Sequence, residues 1–189
     1  MQEDRQEGSA ESSFLHPAAA VRAAKIHEGM EVADFGAGSG FFTRAAARAV
    51  GPESRVWAVD TNQDMLGHIK SLALAEGLKN VEVVRGNIEA EGGSHLPPEH
   101  MDFVIAANVL FSATDKKALA KEIRRVLKRT GRALIIDWSS SHGGLGPHEA
   151  HVVTEREART IFEEAGFTYV EAVPCGAYHW GFVARKKMQ

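Results

Sequence analysis

The chain has 189 residues, of which 44% are hydrophobic and 25% are charged, a composition typical of one soluble globular domain. The sequence contains no apolar run near the roughly 20 residues that span a bilayer, and its acidic start lacks a signal-peptide pattern, so we expect a cytoplasmic protein without integral membrane contact. The single cysteine excludes an internal disulfide, and the net charge of -3 disfavours a nucleic-acid partner without excluding one.

After a polar tail at residues 1–13, the sequence alternates stretches typical of helices and of strands, so we predict a single domain at residues 14–189. The predicted helices cover residues 17–27, 41–50, 62–76, 115–128 and 154–165. The predicted strands cover residues 31–35, 55–59, 81–85, 101–106, 132–137, 167–173 and 178–185. Such alternation requires crossover connections, which predicts an α/β, doubly wound fold with a mainly parallel seven-stranded sheet and an antiparallel last strand.

A glycine-rich turn, Gly36-Ala37-Gly38-Ser39-Gly40, directly follows the first predicted strand. Glycines at these positions let the backbone bend sharply and approach a ligand without a Cβ clash. The N–H groups at the start of the next helix favour a carboxylate or phosphate nearby. Asp60 ends the second strand, 20 residues after Gly40, where its carboxylate can accept both hydroxyls of a ribose. The combination predicts a site for an adenosine-containing cofactor.

The glycine spacing separates two classes of cofactor. A dinucleotide fingerprint reads G-x-G-x-x-G, but Phe41 fills the place of its third glycine, which disfavours a pyrophosphate ligand. The pattern Asp34-x-Gly36-x-Gly38-x-Gly40 resembles motif I of the class I S-adenosylmethionine-dependent methyltransferases. The resemblance extends over nearly the whole chain, through residues 14–17, 56–60, 62–66, 86–89, 103–110, 146–149 and 164–167. The last two segments resemble the small-molecule and lipid branch that includes ubiquinone/menaquinone-biosynthesis methyltransferases.

This resemblance implies a Rossmann-like fold and S-adenosylmethionine as cofactor. The implied cofactor-binding residues are Asp34, Gly36, Ala37, Gly38, Gly40, Asp60, Thr61, Asn62, Met65, Asn87, Ile88 and Asn108. In this assignment the turn and Asn108 face the methionine moiety, Asp60 holds the ribose, and Asn87 and Ile88 reach the adenine. The family usually has Asp at position 87, and the amide oxygen of Asn87 still accepts a hydrogen bond. The alternatives are a core-packing role for Met65 and a loop-capping role for Asn87.

The methyl acceptor is expected beyond the carboxyl ends of the parallel strands. That edge contains Asn108, Phe111, Asp137, Trp138, the loop 139–151, Tyr178 and His179. The predicted catalytic residues are His148, His151 and Tyr178, with a histidine as general base. His142, His148 and His151 also fit a metal site or simply a solvated loop, and we predict no metal. Trp138 and Trp180 either line a pocket or belong to the core.

We therefore predict an S-adenosylmethionine-dependent methyltransferase that acts on a small-molecule or lipid-like acceptor at nitrogen or oxygen. The alternatives are a methyltransferase for RNA or protein, and a non-catalytic S-adenosylmethionine-binding module. The chain has no large insertion that would form a lid. The predicted acceptor cleft is therefore shallow unless the N-terminal segment, or the second subunit of a homodimer, covers it.

Overall fold

A computed structural model describes residues 14–141 and 145–188 of the chain. They form one seven-stranded sheet with helices, which confirms the predicted α/β, Rossmann-like fold. The strands are β1 (Val32–Phe35), β2 (Val56–Asp60), β3 (Val81–Arg85), β4 (Met101–Ala107), β5 (Leu127–Trp138), β6 (Phe167–Ala172) and β7 (His179–Lys186). The helices are α1 (Pro17–Ala23), α2 (Phe41–Val50), α3 (Gln63–Ala75), α4 (Lys116–Val126) and α5 (Glu155–Glu164), with a 3₁₀ helix at Glu149–His151.

The strand order is β3-β2-β1-β4-β5-β7-β6. Strands β1 to β5 pair in parallel, whereas β7 pairs antiparallel with both β5 and β6. The chain moves outward from β1 to β3 and then returns to the other side of β1 with β4. In doubly wound sheets, the crevice outside the carboxyl ends of the strands at this reversal is where ligands bind.

The core lies on both faces of the sheet, and β1 at its centre is buried along its whole length. On one face, α1, α2 and α3 pack through an apolar cluster that includes Ala46, Val50 and Ile69. On the other face, α4 and α5 contribute Ile123 and Phe162. Because helices cover both faces of the central sheet, its accessible parts are the ends of the strands.

The element boundaries differ from the predicted ones by more than one residue at the end of α1 and at the junction of α4 and β5, where β5 begins at Leu127 rather than at residue 132. Helix α1 ends at Ala23 rather than at residue 27, because Lys25 adopts a left-handed backbone conformation with φ +60° that an α-helix cannot contain. The predicted helix 115–128 ends at Val126, because Leu127 already begins β5 and pairs with Met101. A capping box begins α5, with reciprocal hydrogen bonds between Thr154 and Glu157. In the described ranges we find no helix whose length and apolar character would let it cross a membrane.

Candidate functional site

The glycine-rich turn is fastened to the end of β2. The N–H groups of Gly36 and Ala37 donate to the carbonyl oxygen of Val59 at 2.8 and 3.2 Å. The N–H of Gly38 donates to the Asp60 carboxylate at 2.9 Å. The predicted cofactor turn and the predicted ribose-binding acid are therefore in direct contact.

Two of the glycines have different structural requirements. Gly36 has φ +70°, and a Cβ atom there would collide with the side chain of Val109. Gly38 has φ +50°, and a Cβ atom there would meet nothing nearer than the Gly36 carbonyl oxygen at 3.9 Å. Gly36 is thus required by the packing of the protein itself, whereas Gly38 borders open space that the protein leaves unfilled.

Two cavities meet at this turn, and both are lined by Gly36 and Asn108. The first has a volume of about 300 Å³ and includes Asp60, Thr61, Asn87 and Ile88 in its wall. The second has a volume of about 470 Å³ and includes Asp34, Ala37, Gly38, Trp138 and His179. An elongated ligand lying across Gly36 and Asn108 would occupy both cavities.

Asn108, directly after β4, combines two unfavourable features at the junction of the cavities. Its backbone has φ +57°, a left-handed conformation that costs a residue with a side chain about 1–3 kcal/mol. Its side-chain Oδ1 atom is buried and accepts no hydrogen bond from the described residues. A buried acceptor without a donor costs a further ~1–3 kcal/mol. Both features indicate a position shaped for a ligand that donates a hydrogen bond.

Asp34 lies at the end of β1, buried beneath the turn. Its Oδ2 atom accepts a hydrogen bond from the Thr43 hydroxyl at 2.5 Å. Burial raises the pKa of Asp34 to about 6, with the hydrogen bonds from Thr43 opposing this increase and the charge of Asp60 adding to it. Asp34 also lines the second cavity. Protonation of this carboxylate near pH 6 removes a negative charge from the wall of that cavity.

Asp137, at the end of β5, holds the turn that follows β4. Its fully buried carboxylate accepts the backbone N–H groups of Leu110 at 2.8 Å, Phe111 at 3.2 Å and Trp138 at 2.8 Å. Burial raises its pKa to about 6, and these three hydrogen bonds oppose the increase. Asp137 lies at the predicted edge, but its contacts support the backbone beside Asn108.

The loop 86–99, which carries Asn87, is held by Glu122 of α4. The carboxylate of Glu122 accepts the Gly92 and Ser94 N–H groups at 2.9 and 3.1 Å and the Ser94 hydroxyl at 2.5 Å. The Arg125 guanidinium donates to the same carboxylate through two nitrogens at 2.7 Å each. Burial alone would raise the pKa of Glu122, but these hydrogen bonds outweigh it and lower the pKa to about 2.

The remaining predicted cofactor residues surround the two cavities to different extents. Asn62 caps α3 and also donates its N–H to Asp60 at 2.9 Å. Met65 is 38% exposed and lines neither cavity, and Gly40 faces Ile69 of α3. The side-chain oxygen of Asn87 accepts the Glu89 N–H at 2.9 Å, which is a loop-capping contact, while the residue also borders the first cavity. The capping alternative for Asn87 is thus compatible with the binding role.

The predicted catalytic residues do not lie together. His148 caps the 3₁₀ helix and His151 is its last residue, with ring centres 6.4 Å apart, and His151 lines a separate groove between α4 and α5. Tyr178 contacts Phe14 beside the second cavity, with ring centres 5.5 Å apart. His142 lies outside the described residues, and the part of the chain that is described holds no cluster of three metal-binding side chains.

The two tryptophans have different surroundings. Trp180 is buried in the core, and its indole nitrogen donates to the carbonyl oxygen of Val153 at 2.9 Å. Trp138 lines the second cavity and packs against His179, with ring centres 4.2 Å apart. The sequence predicts His179 at this edge but not its contact with Trp138, because that contact depends on the β5–β7 register.

Comparisons with known proteins agree on one family. A family model described as "Methyltransferase domain" matches residues 26–180. The chain is 34% identical over 119 residues to a ubiquinone/menaquinone biosynthesis C-methyltransferase, UbiE, of Burkholderia vietnamiensis, covering 63% of this chain and 47% of that protein. The chain therefore spans about half the length of the curated relatives it matches.

Solved structures agree with this result. A SAM-dependent methyltransferase from Aquifex aeolicus is 29% identical, with a TM-score of 0.82 over 91% of this chain and 90% of that one. The [4+2]-cyclase SpnF superposes with a TM-score of 0.76 over 92% of this chain and 80% of that one, at 16% identity. The second similarity concerns the fold alone.

Proposed function

The chain belongs to the methyltransferase-domain family, with S-adenosylmethionine as its cofactor, and on that premise we propose that it methylates a small-molecule or lipid-like acceptor at nitrogen or oxygen. The observation that carries this proposal is the pair of cavities joined at Gly36 and Asn108. An adenosyl group and a methionine group joined through sulfur match two cavities that meet at a glycine.

The residues present fit this cofactor. The Asn108 Oδ1 atom, which accepts no hydrogen bond from the described residues, would receive one from the ammonium group of the methionine moiety. Asp60 would hold the ribose hydroxyls, and Ile88 would contact the adenine ring. The open space beside Gly38 leaves room for the ligand where any other residue would place a side chain.

The cofactor supplies an electrophilic methyl group, so the protein needs no nucleophile of its own. The protein contributes by binding the acceptor in line with that group and by excluding water, which together account for much of the rate enhancement of such transfers. The wall of the second cavity, with Trp138 and Phe41, is suited to this task because it is largely apolar. The second cavity, about 470 Å³, would hold the methionine half of the cofactor and, in the space that remains, a small acceptor or one end of a longer one.

Two experiments test this function. Isothermal titration calorimetry with S-adenosylmethionine and with NAD examines the cofactor, and binding of NAD alone would contradict the proposal. Incubation with S-adenosylmethionine carrying a labelled methyl group and cell extract, followed by separation of lipid, small-molecule, RNA and protein pools, examines the acceptor. We expect label in the lipid or small-molecule pool. Label confined to RNA or protein contradicts the acceptor class, and tight binding without any labelled pool supports a non-catalytic module.

The acceptor atom can be read from the same experiment. The curated relatives are named C-methyltransferases, whereas we propose transfer to nitrogen or oxygen. Methyl groups on oxygen, nitrogen and carbon give carbon-13 resonances in separate regions of an NMR spectrum. A product methyl group attached to carbon would show that the predicted acceptor atom is wrong while leaving the methyltransferase activity itself in place.

A further inference from the structure

We propose that Asp137 is a positioning residue for the cofactor, because it holds the backbone that aims the side chain of Asn108 at the ammonium group of the methionine moiety. This inference rests on the proposed function, in which the Oδ1 atom of Asn108 accepts a hydrogen bond from that ammonium group. Asp137 itself lines neither of the two cavities, so its effect on the cofactor passes through Asn108.

Asn108 begins a short segment that lies between the end of β5 and the glycine-rich turn. On one side, the N–H of Asn108 donates to the carbonyl oxygen of Ile136 in β5 at 2.9 Å. On the other side, the side chain of Val109 packs against Gly36 so closely that Gly36 has no room for a Cβ atom. The direction of the Asn108 side chain therefore depends on how this segment is held between its two neighbours.

Residues 109–113 form a hydrogen-bonded turn directly after Asn108. The N–H groups of Ser112 and Ala113 both donate to the carbonyl oxygen of Val109, at 3.3 and 3.0 Å. As at the N-terminus of a helix, the first N–H groups of such a turn have no carbonyl partner within it and need an acceptor from elsewhere. The segment beside the cofactor therefore requires an anchor outside its own backbone.

The fully buried carboxylate of Asp137 is that anchor. Its Oδ2 atom accepts the N–H groups of Leu110 at 2.8 Å and Phe111 at 3.2 Å, and its Oδ1 atom accepts the N–H of Trp138 at 2.8 Å. Because both oxygens face donors, an amide could replace the carboxylate only by turning its own NH₂ group toward a backbone N–H. Position 137 therefore requires a carboxylate, which joins the end of β5 to the residues that follow Asn108.

The unfavourable conformation of Asn108 explains why such an anchor matters. Its backbone is left-handed, with φ +57°, and its buried Oδ1 atom accepts no hydrogen bond from the described residues. A conformation of this kind persists only where the surrounding structure enforces it. With Asp137 in place, the Oδ1 atom is already oriented before the cofactor arrives, which lowers the cost of ordering the site on binding. Loss of Asp137 should therefore weaken the grip on the ammonium group and leave the grip on the adenosine group unchanged.

The test compares two ligands that share the adenosine group. S-adenosylhomocysteine carries the ammonium group of an amino acid, whereas 5′-methylthioadenosine ends at a methyl group on sulfur and has no ammonium group. By calorimetry on the full-length protein, Asp137→Asn should bind S-adenosylhomocysteine at least about tenfold more weakly than the wild type, with less than about a twofold change for 5′-methylthioadenosine. Equal weakening of both ligands would indicate a general loosening of the fold and would overturn the proposal.

The matched control is Asp102→Asn. The carboxylate of Asp102 also accepts a backbone N–H, that of Glu31 at 2.9 Å, but it lies near the start of β4, at the opposite edge of the sheet from the cofactor turn. This variant should bind both ligands with the affinity of the wild type. A selective loss of S-adenosylhomocysteine binding in the control as well would contradict a role specific to Asp137.

A double-mutant cycle then shows whether Asp137 acts through Asn108. Asn108→Gly removes the side chain and suits the left-handed backbone, and it should itself weaken S-adenosylhomocysteine binding. When Asn108→Gly is already present, Asp137→Asn should cause little further loss, because the side chain that it positions is gone. The same loss with and without the Asn108 side chain overturns the proposal, and so does wild-type affinity in Asn108→Gly.

Two further outcomes are distinguished by the same measurements. If circular dichroism shows that Asp137→Asn does not fold, Asp137→Ser replaces it with the same expectation, since its hydroxyl accepts an N–H and brings no NH₂ group into the site. If the wild type binds 5′-methylthioadenosine too weakly to measure, the cycle with S-adenosylhomocysteine decides alone. Failure of the wild type to bind S-adenosylmethionine rejects the proposed function together with this inference, whereas methyl transfer by the wild type with unchanged ligand binding in Asp137→Asn rejects the inference alone.

Discussion

Replacing Glu122 with glutamine tests how the loop 86–99 is held beside the first cavity. The Glu122 side chain is almost completely buried, and it accepts hydrogen bonds from Gly92, Ser94 and Arg125. Its pKa of about 2 in the folded protein compares with 4.5 as its ordinary value. At ~1.4 kcal/mol for each pKa unit, ionised Glu122 adds about 3 kcal/mol to the free energy of unfolding near neutral pH.

The pH range of this contribution follows from the direction of the shift. Because the folded protein holds the pKa below its ordinary value, the contribution is complete above about pH 4.5 and is lost as pH falls toward 2. Glu122→Gln removes the charge and leaves Arg125 facing a neutral amide, so we expect a loss of about 3 kcal/mol at pH 7, in the range found for broken buried ion pairs. At pH 2.5 the variant and the wild type should differ far less.

Urea unfolding followed by circular dichroism at pH 7 and pH 2.5 measures both values. Glu164→Gln is the matched control, because its carboxylate is 55% exposed and pairs with the exposed Lys117 at 2.8 Å. Removal of such a surface ion pair should cost less than about 1 kcal/mol. The reasoning fails if Glu122→Gln costs no more than this control, or if the gap between the variant and the wild type is equally large at both pH values.

Three further predictions concern the cofactor turn. Gly38→Ala should still fold, because its Cβ meets no close neighbour, at a cost of about 1–2 kcal/mol from its positive φ. The variant should nevertheless bind S-adenosylmethionine at least about tenfold more weakly by calorimetry. Normal affinity would show that the glycine-rich turn does not bind the cofactor. Asp60→Ala should cost about 1.5–3 kcal/mol of cofactor binding, and unchanged affinity would show that the ribose assignment is wrong. S-adenosylmethionine affinity should fall as pH drops below about 6, because protonated Asp34 no longer attracts the positively charged cofactor. In Asp34→Asn the affinity should vary little between pH 5 and 8. A wild-type affinity that does not change with pH would contradict this role of Asp34.

The fold was predictable because its signals are local and repeated. Seven apolar stretches alternate with amphipathic ones, and the glycines at 36, 38 and 40 follow directly on the most buried strand. The boundary between α4 and β5 was missed because Leu127 is apolar and suits the end of an amphipathic helix as well as the start of a strand. Hydrophobic periodicity carries no information on the pairing of Leu127 with Met101, which decides the matter.

The supporting contacts of the site were less accessible to sequence reasoning. Glu122 lies on the buried face of α4, and the pattern of that helix does not reveal that Ser94 donates a hydrogen bond to it there or that Arg125 pairs with its charge. The contact between Trp138 and His179 joins residues 41 positions apart and depends on strand register. Periodicity and motif spacing report on neighbours along the chain, so contacts of this kind become visible only in three dimensions.

Cofactor residues and acceptor-side residues come from different parts of the sequence, because β7 runs antiparallel and returns His179 to the edge where the parallel strands end. The groups assigned to the cofactor come from residues 34–108, whereas Trp138 and His179 of the second cavity come from the last third of the chain. Under the proposed function, substitutions at positions 138 and 179 would alter which compound is modified while leaving residues 34–108 unchanged. Homologous proteins that share β1 to β4 and differ at the end of β5 and the start of β7 would methylate different acceptors with the same cofactor.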